Sequence, residues 1–119
     1  MKRRTILGMG LAAGLMAASS MAAQAAGEKI AIVTPYLAQP GTQFYVEAFQ
    51  AKAKEFGWEV NVIDTKGDVA AAVGRIEDAA NQKVSAIVIN VDPSQVQAGL
   101  EPAKAAGVPI VVAVNKIDK

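Results

Sequence analysis

The chain has 119 residues, 12 of them basic and 11 acidic, for a net charge of +1, and it contains neither cysteine nor histidine. Disulfides and Ser-His or Cys-His nucleophilic catalysis are thereby excluded within this chain, and a zinc or copper site loses its usual ligands. The near-neutral balance, with no basic patch, argues against a nucleic-acid partner or an anionic membrane surface.

The N-terminus reads as an export signal over residues 1–25. Lys2, Arg3 and Arg4 give a positive start, Ile6 to Ala18 is apolar, and Ala23-Gln24-Ala25 is a small-x-small cleavage site that leaves Ala26 first. The apolar run is too short to span a bilayer. Arg3-Arg4-Thr5-Ile6-Leu7 partly matches a twin-arginine signal, but an ordinary Sec signal accounts for the same residues and is the reading adopted. With no cysteine after the expected cleavage site, a lipid anchor is not expected. The expected product is a soluble periplasmic protein, not embedded in the membrane once the signal is cut. The remaining 94 residues, 26–119, hold nine basic and eleven acidic side chains, a net of −2. That length is enough for one small domain with an apolar core.

Ile30-Ala31-Ile32-Val33 is a short β-branched run, the mark of a strand buried on both faces. Pro35 to Gly41 is a loop. A helix follows, with Thr42 as its expected N-cap, Val46, Phe49, Ala53 and Phe56 as its apolar face, and Gly57 as its end. Trp58 to Asp64 reads as a second strand, and Lys66-Gly67 turns the chain. Asp68 caps a second helix whose face is Val69, Val73, Ile76 and Ala80. Val84 to Asn90 reads as the third strand. Asp92-Pro93 is an N-cap acid followed by a first-turn proline, which predicts a third helix burying Val96, Leu100 and Ala103 and ending at Gly107. Val108 to Val114 is the fourth strand, with Pro109 near its start. The order β-α-β-α-β-α-β predicts an α/β fold: a parallel sheet joined by right-handed crossovers, with helices on both faces.

In such a sheet, ligands bind beyond the carboxyl ends of the strands. Residues 34–45, Asp64, 90–92 and 115–118 fall at those ends. Phe44 and Tyr45 could stack on the apolar face of a sugar, while Gln39, Thr42, Gln43, Asp92 and Asn115 could bond its hydroxyls. Plainer roles compete. One of the two rings, Tyr45 more than Phe44, could pack beneath the loop. Asp92 could serve only as a cap, and Asp64 could cap a turn.

Asn115-Lys116-Ile117-Asp118 after an apolar strand matches the guanine-reading motif of GTPases. The phosphate loop those proteins need after the first strand is absent, since that position reads Thr34-Pro35-Tyr36-Leu37-Ala38-Gln39-Pro40. The match is read as chance. A response regulator would need acids after the first strand, and Thr34-Pro35-Tyr36 supplies none.

The signal, followed by Glu28-Lys29-Ile30-Ala31-Ile32-Val33, Gln43-Phe44-Tyr45-Val46, Glu55-Phe56-Gly57-Trp58-Glu59-Val60, Ile89-Asn90-Val91-Asp92-Pro93 and Ala106-Gly107-Val108-Pro109-Ile110-Val111-Val112, resembles periplasmic sugar-binding proteins of the ribose-binding type. These are the solute receptors of ABC importers. The resemblance covers essentially all of the chain after the signal. It implies two α/β lobes joined by a hinge, a sugar or polyol held between them, closure read by an inner-membrane permease, and neither cofactor nor catalysis. It places Phe44 and Tyr45 at the family's aromatic sugar-contacting pair. It places Val114-Asn115 where the family commonly has Asp-Arg, so the charged clamp is replaced by a lone amide. The loop before Phe44 is longer than in the ribose receptor. The chain is expected to be the front part of such a receptor, with an open sheet edge and little affinity for sugar alone. A sensory ligand-binding protein of the same fold is the alternative.

Overall fold

The computed structural model describes residues 27–113. The expected signal at 1–25, Asn115 and the Asn115–Asp118 motif lie outside the described residues. Strand β1 is Lys29–Thr34, helix α1 Pro40–Glu55, β2 Glu59–Asp64, α2 Val69–Asn81, β3 Ala86–Ile89, α3 Gln97–Ala105 and β4 Ile110–Val112. A single 3-10 turn, Pro93–Gln95, precedes α3. All strand pairs are parallel, in the order β2-β1-β3-β4. The βα alternation and the parallel α/β fold expected from the sequence are both present.

β1 is central because its run has no polar interruption: Ile30 to Thr34 are all buried. Side chains alternate across the sheet, so adjacent residues of β1 enter different cores. Ala31 and Val33 join Ile87 and Ile89 of β3 beneath α2 and α3, where Ala72, Ile76, Ala79, Val96 and Ala103 close the packing. Ile30 and Ile32 face the other way and meet Val88 and Val46 of α1, with Tyr45 and Phe49 alongside. Each fully buried Val or Ile contributes roughly 1.5–3 kcal/mol of burial free energy. Two helices thus cover one face and one helix covers the other. Among the described residues no helix is long and apolar enough to cross a membrane.

The helix ends follow one rule. Past α1, Gly57 has φ 72° and Trp58 N–H donates to Ala53 O at 3.0 Å. Past α3, Gly107 has φ 73° and Val108 N–H donates to Ala103 O at 2.9 Å. This left-handed stop satisfies the last free carbonyls. α2 stops in the same way without a glycine, on Lys83 at φ 53°.

Four expectations are corrected. Thr42 does not cap α1: the helix begins two residues earlier at Pro40, whose ring presets the first helical φ, and Thr42 lies buried in the first turn. Phe56 is not on the buried face of α1. It follows the last helical residue, is 56 % exposed, and stacks on Trp58 at 5.3 Å. Asp92-Pro93 opens the 3-10 turn rather than the α-helix. Val96 leaves helical geometry at φ −122° to bury its side chain, and its carbonyl then starts α3 through Gly99 N–H at 2.9 Å. The third strand is shorter than expected, Ala86–Ile89, and the described part of the fourth is Ile110–Val112.

Candidate functional site

After β1 the chain passes to β2 on one side of it, and after β2 it returns to β3 on the other. The strand order therefore reverses at β1, and the crevice that such a reversal opens lies between the carboxyl ends of β1 and β3. Its walls are the loop Pro35–Gln39, the first turns of α1, and residues 90–96 after β3.

The first wall is fixed by short-range bonds. The buried Thr34 Oγ1 accepts Tyr36 N–H at 3.0 Å, and Gln39 N–H donates to Tyr36 O at 2.9 Å. Thr34 O accepts Thr65 N–H at 3.0 Å and Pro35 O accepts Gly67 N–H at 2.7 Å, which ties this loop to the one after β2. Asp64 at the end of β2 is used locally, its Oδ1 accepting Lys66 N–H at 2.8 Å. This is the turn-capping role read from sequence. It lies one strand away from the reversal.

Across the crevice, Thr42 and Asn90 meet. Asn90 Nδ2 donates to Thr42 Oγ1 at 3.2 Å, linking the first turn of α1 to the residue just past β3. Thr42 is only 4 % exposed. Asn90 Oδ1 is buried and has no partner among the described residues, and the Tyr45 hydroxyl is in the same condition. Burial also raises the Tyr45 pKa above its ordinary value of 10.0.

The two aromatic residues separate. Consecutive positions on a helix point about 100° apart, so one ring turns in and one turns out. Tyr45 packs against the cluster of Ile30, Ile32, Val46 and Val88, while Phe44 is 75 % exposed. Gln43 lines a separate hollow with Leu37, Val46, Gln50 and Val62, on the β2 side of α1, and is not brought together with Thr42 and Asn90. Gln39 lines a hollow between the loops after β1 and β2, with Tyr36, Asp64 and Lys66. Asp92 is exposed, and one oxygen, Oδ1, accepts both Ser94 N–H at 2.9 Å and Ser94 Oγ–H at 2.8 Å. Those two bonds hold its carboxyl below the usual carboxylate range.

Asn90 was missing from the polar candidates drawn from sequence, although its signal was present: an amide directly ending the apolar run Ile87-Val88-Ile89. A groove of about 290 Å³ between Lys29, Glu59, Arg75 and Asp78 lies at the opposite, amino-terminal end of the strands, away from this rim.

A sequence profile of the periplasmic binding protein domain matches residues 30–119. The 5-methylthioribose transporter solute binding protein of Thermotoga lettingae, solved with 5-methylthioribose, is 26 % identical at a TM-score of 0.67, over 76 % of this chain and 30 % of that one. An ABC transporter solute binding protein of Mycobacterium smegmatis with bound glycerol is 26 % identical at a TM-score of 0.68, over 78 % of this chain and 33 % of its own. The translation initiation factor IF-2 of Rhodopseudomonas palustris strain BisB5 is 39 % identical over 83 residues, which are 66 % of this chain and 9 % of that protein. The chain thus spans about a third of the solved receptors and about a tenth of the initiation factor.

Proposed function

We propose that this chain, which belongs to the periplasmic binding protein family, is the first part of the N-terminal lobe of the substrate-binding component of an ABC-type sugar importer. Its ligand is a monosaccharide or a similar polyol, its partner the inner-membrane permease, and its place the periplasm, reached through the signal at 1–25. The domain is residues 26–119. Two solved proteins similar to this chain in both fold and sequence are receptors bound to a sugar derivative or a polyol, and this supports the reading.

What supports it at the site is the exposed Phe44 ring in the first turns of α1, the helix that follows β1 at its carboxyl end. Phe44 offers an apolar face for sugar C–H groups. Thr42, Tyr45, Asp92 and Asn115 complete the proposed set, and Gln43 is left out of it because it lines the separate hollow beside β2. One lobe leaves half of a ligand's surface wet, so binding by this chain alone is expected only at about millimolar or weaker concentrations. The test is a nitrogen-15 NMR titration with D-allose, allitol and glycerol. Shifts confined to Phe44, Asn90 and their neighbours are expected. Shifts absent, or scattered over the surface, would sink the reading.

A nucleotide-binding reading is favoured by the likeness to initiation factor IF-2 together with Asn115-Lys116-Ile117-Asp118. The loop after β1 speaks against it. A phosphate cradle needs free backbone N–H groups. Here Pro35 and Pro40 have none, and those of Tyr36 and Gln39 are already bonded. Saturable binding of a fluorescent GDP at micromolar concentration would reverse this order.

A further inference from the structure

We infer that Gly67 is a positioning residue for the ligand rim: from the turn after β2 it holds the Pro35 carbonyl, and through it the loop over residues 35–39 and the start of α1 that carries Phe44. The inference rests on the sugar-receptor reading above. It adds a residue that sets affinity from the neighbouring strand's end without belonging to the ligand set.

Thr65-Lys66-Gly67-Asp68 is a tight turn, closed by Asp68 N–H donating to Thr65 O at 3.0 Å. Both central residues are left-handed, Lys66 at φ 52° and Gly67 at φ 83°, the signature of a type I′ turn. Glycine takes that conformation freely, whereas lysine is strained in it. Such strain persists only where the surroundings impose it. Two side-chain bonds impose it here: Asp64 Oδ1 accepts Lys66 N–H at 2.8 Å, and the Thr65 hydroxyl donates to Asp68 O at 2.8 Å. The turn aims one group. Gly67 N–H crosses to the loop after β1 and donates to Pro35 O at 2.7 Å, beside Thr65 N–H on Thr34 O at 3.0 Å. Proline has no N–H, so this carbonyl is the one backbone hydrogen-bonding group Pro35 has, and the bond fixes the peptide plane leading into Tyr36. Further links run along the loop. Thr34 Oγ1 accepts Tyr36 N–H, Tyr36 O accepts Gln39 N–H, and Gln39 O accepts Gln43 N–H at 3.0 Å in the first turn of α1. Phe44 is the next residue. A surface loop without such bonds moves, and ordering it on binding costs affinity. A Cβ on Gly67 would meet nothing within 4 Å, so a substitution there tests backbone conformation rather than space.

Four forms of the 119-residue chain test this by nitrogen-15 NMR: wild type, Gly67→Val, Gly67→Asn and Asp68→Ala. Valine is an outlier in the left-handed region, and asparagine tolerates it. Without ligand, the Tyr36 and Gln39 amides are expected to exchange roughly tenfold faster in Gly67→Val, with Ile32 and Val88 unchanged, and to stay near wild type in Gly67→Asn. With D-allose, and Phe44 as the reporter, Gly67→Val should bind roughly threefold more weakly and Gly67→Asn like wild type. Asp68→Ala removes the cap of α2 and leaves Gly67 in place, so it should lower the melting temperature with neither change. If Gly67→Val does not fold, Gly67→Ala takes its place, with the same pattern at smaller size. Unchanged Tyr36 and Gln39 exchange in the folded valine or alanine form overturns the inference. So does a Gly67→Asn or Asp68→Ala form that behaves like valine. Equal D-allose affinity of wild type and Gly67→Val, with the wild type responding, overturns it too. A wild-type Phe44 that never responds to D-allose overturns the sugar reading, and the exchange comparison then decides the role of Gly67 by itself.

Discussion

Tyr45 carries opposing contributions in one side chain. Its ring packs against Ile30, Ile32, Val46 and Val88, while its hydroxyl is buried with no partner among the described residues. A buried polar group without a hydrogen bond costs about 1–3 kcal/mol. Tyr45→Phe removes that cost and keeps the ring, so urea unfolding at pH 7 should show equal or higher stability, by up to about 1 kcal/mol. The same burial sets a pH signature. The folded-state pKa is raised above 10.0, so the native state holds the proton more tightly than the unfolded chain does. Stability is full below the unfolded value and falls as pH rises through it toward the folded value. Wild type should therefore lose stability between pH 9 and pH 11 relative to Tyr45→Phe, and parallel profiles would refute the assignment. Asp68 is simpler. Its Oδ1 accepts Ala71 N–H at 2.9 Å at the start of α2, and Asp68→Ala should cost about 1 kcal/mol in the same assay.

Elements declared by one strong signal were legible in the sequence. The unbroken run of β1 and the cap of α2 at Asp68 needed no tertiary context. Elements decided by competition were not. Thr42 is a good cap residue, but Pro40 offers an earlier start and the buried Asn90 amide claims the threonine hydroxyl. The 3-4 spacing of α1 runs on to Phe56, but the left-handed Gly57 stops the helix first. At the site, the aromatic pair was visible as a pair, and only the helix phase separates the exposed Phe44 from the packed Tyr45. Asn90 is visible in sequence as an amide ending the β3 run, but its bond to Thr42 is not, because that partner lies 48 positions away. The packing of α2 on α3 has the same long-range character. A Cβ on Gly99 would lie 2.9 Å from Val73 O and 3.2 Å from Ile76 Cβ. Backbone cannot step aside as a side chain can, so Gly99→Ala should destabilise by about 1–3 kcal/mol despite the better helix propensity of alanine. Lys83→Gly should act in reverse and stabilise by about 0.5–1 kcal/mol, because it relieves φ 53° at the end of α2. Both are read from chemical denaturation midpoints. A neutral Gly99→Ala would mean that the two helices slide apart without penalty.

At the scale of the whole molecule, the sheet is covered unevenly. α2 and α3 lie on one face and α1 alone on the other, and α1 sits nearer β1 and β2 than β4. β4 pairs only with β3 among the described residues, and its outer positions are open: Val111 is 51 % and Val112 37 % exposed. A free edge lined by exposed β-branched residues is a template for a further strand. β2, the other edge, carries Glu59, Asn61 and Asp64, and two copies meeting there would bring like charges together. Self-association should therefore run through β4. Sedimentation velocity from about 10 to 500 µM is expected to show a concentration-dependent dimer, a loading range that brackets weak edge pairing. Val111→Lys should return the chain to monomer and change stability by no more than about 0.5 kcal/mol, since that side chain already stands half in water. Asp64→Lys at the other edge should leave the dimer intact. A chain that stays monomeric throughout, or a Val111→Lys variant that dimerises like wild type, would show that the β4 edge is not where copies meet.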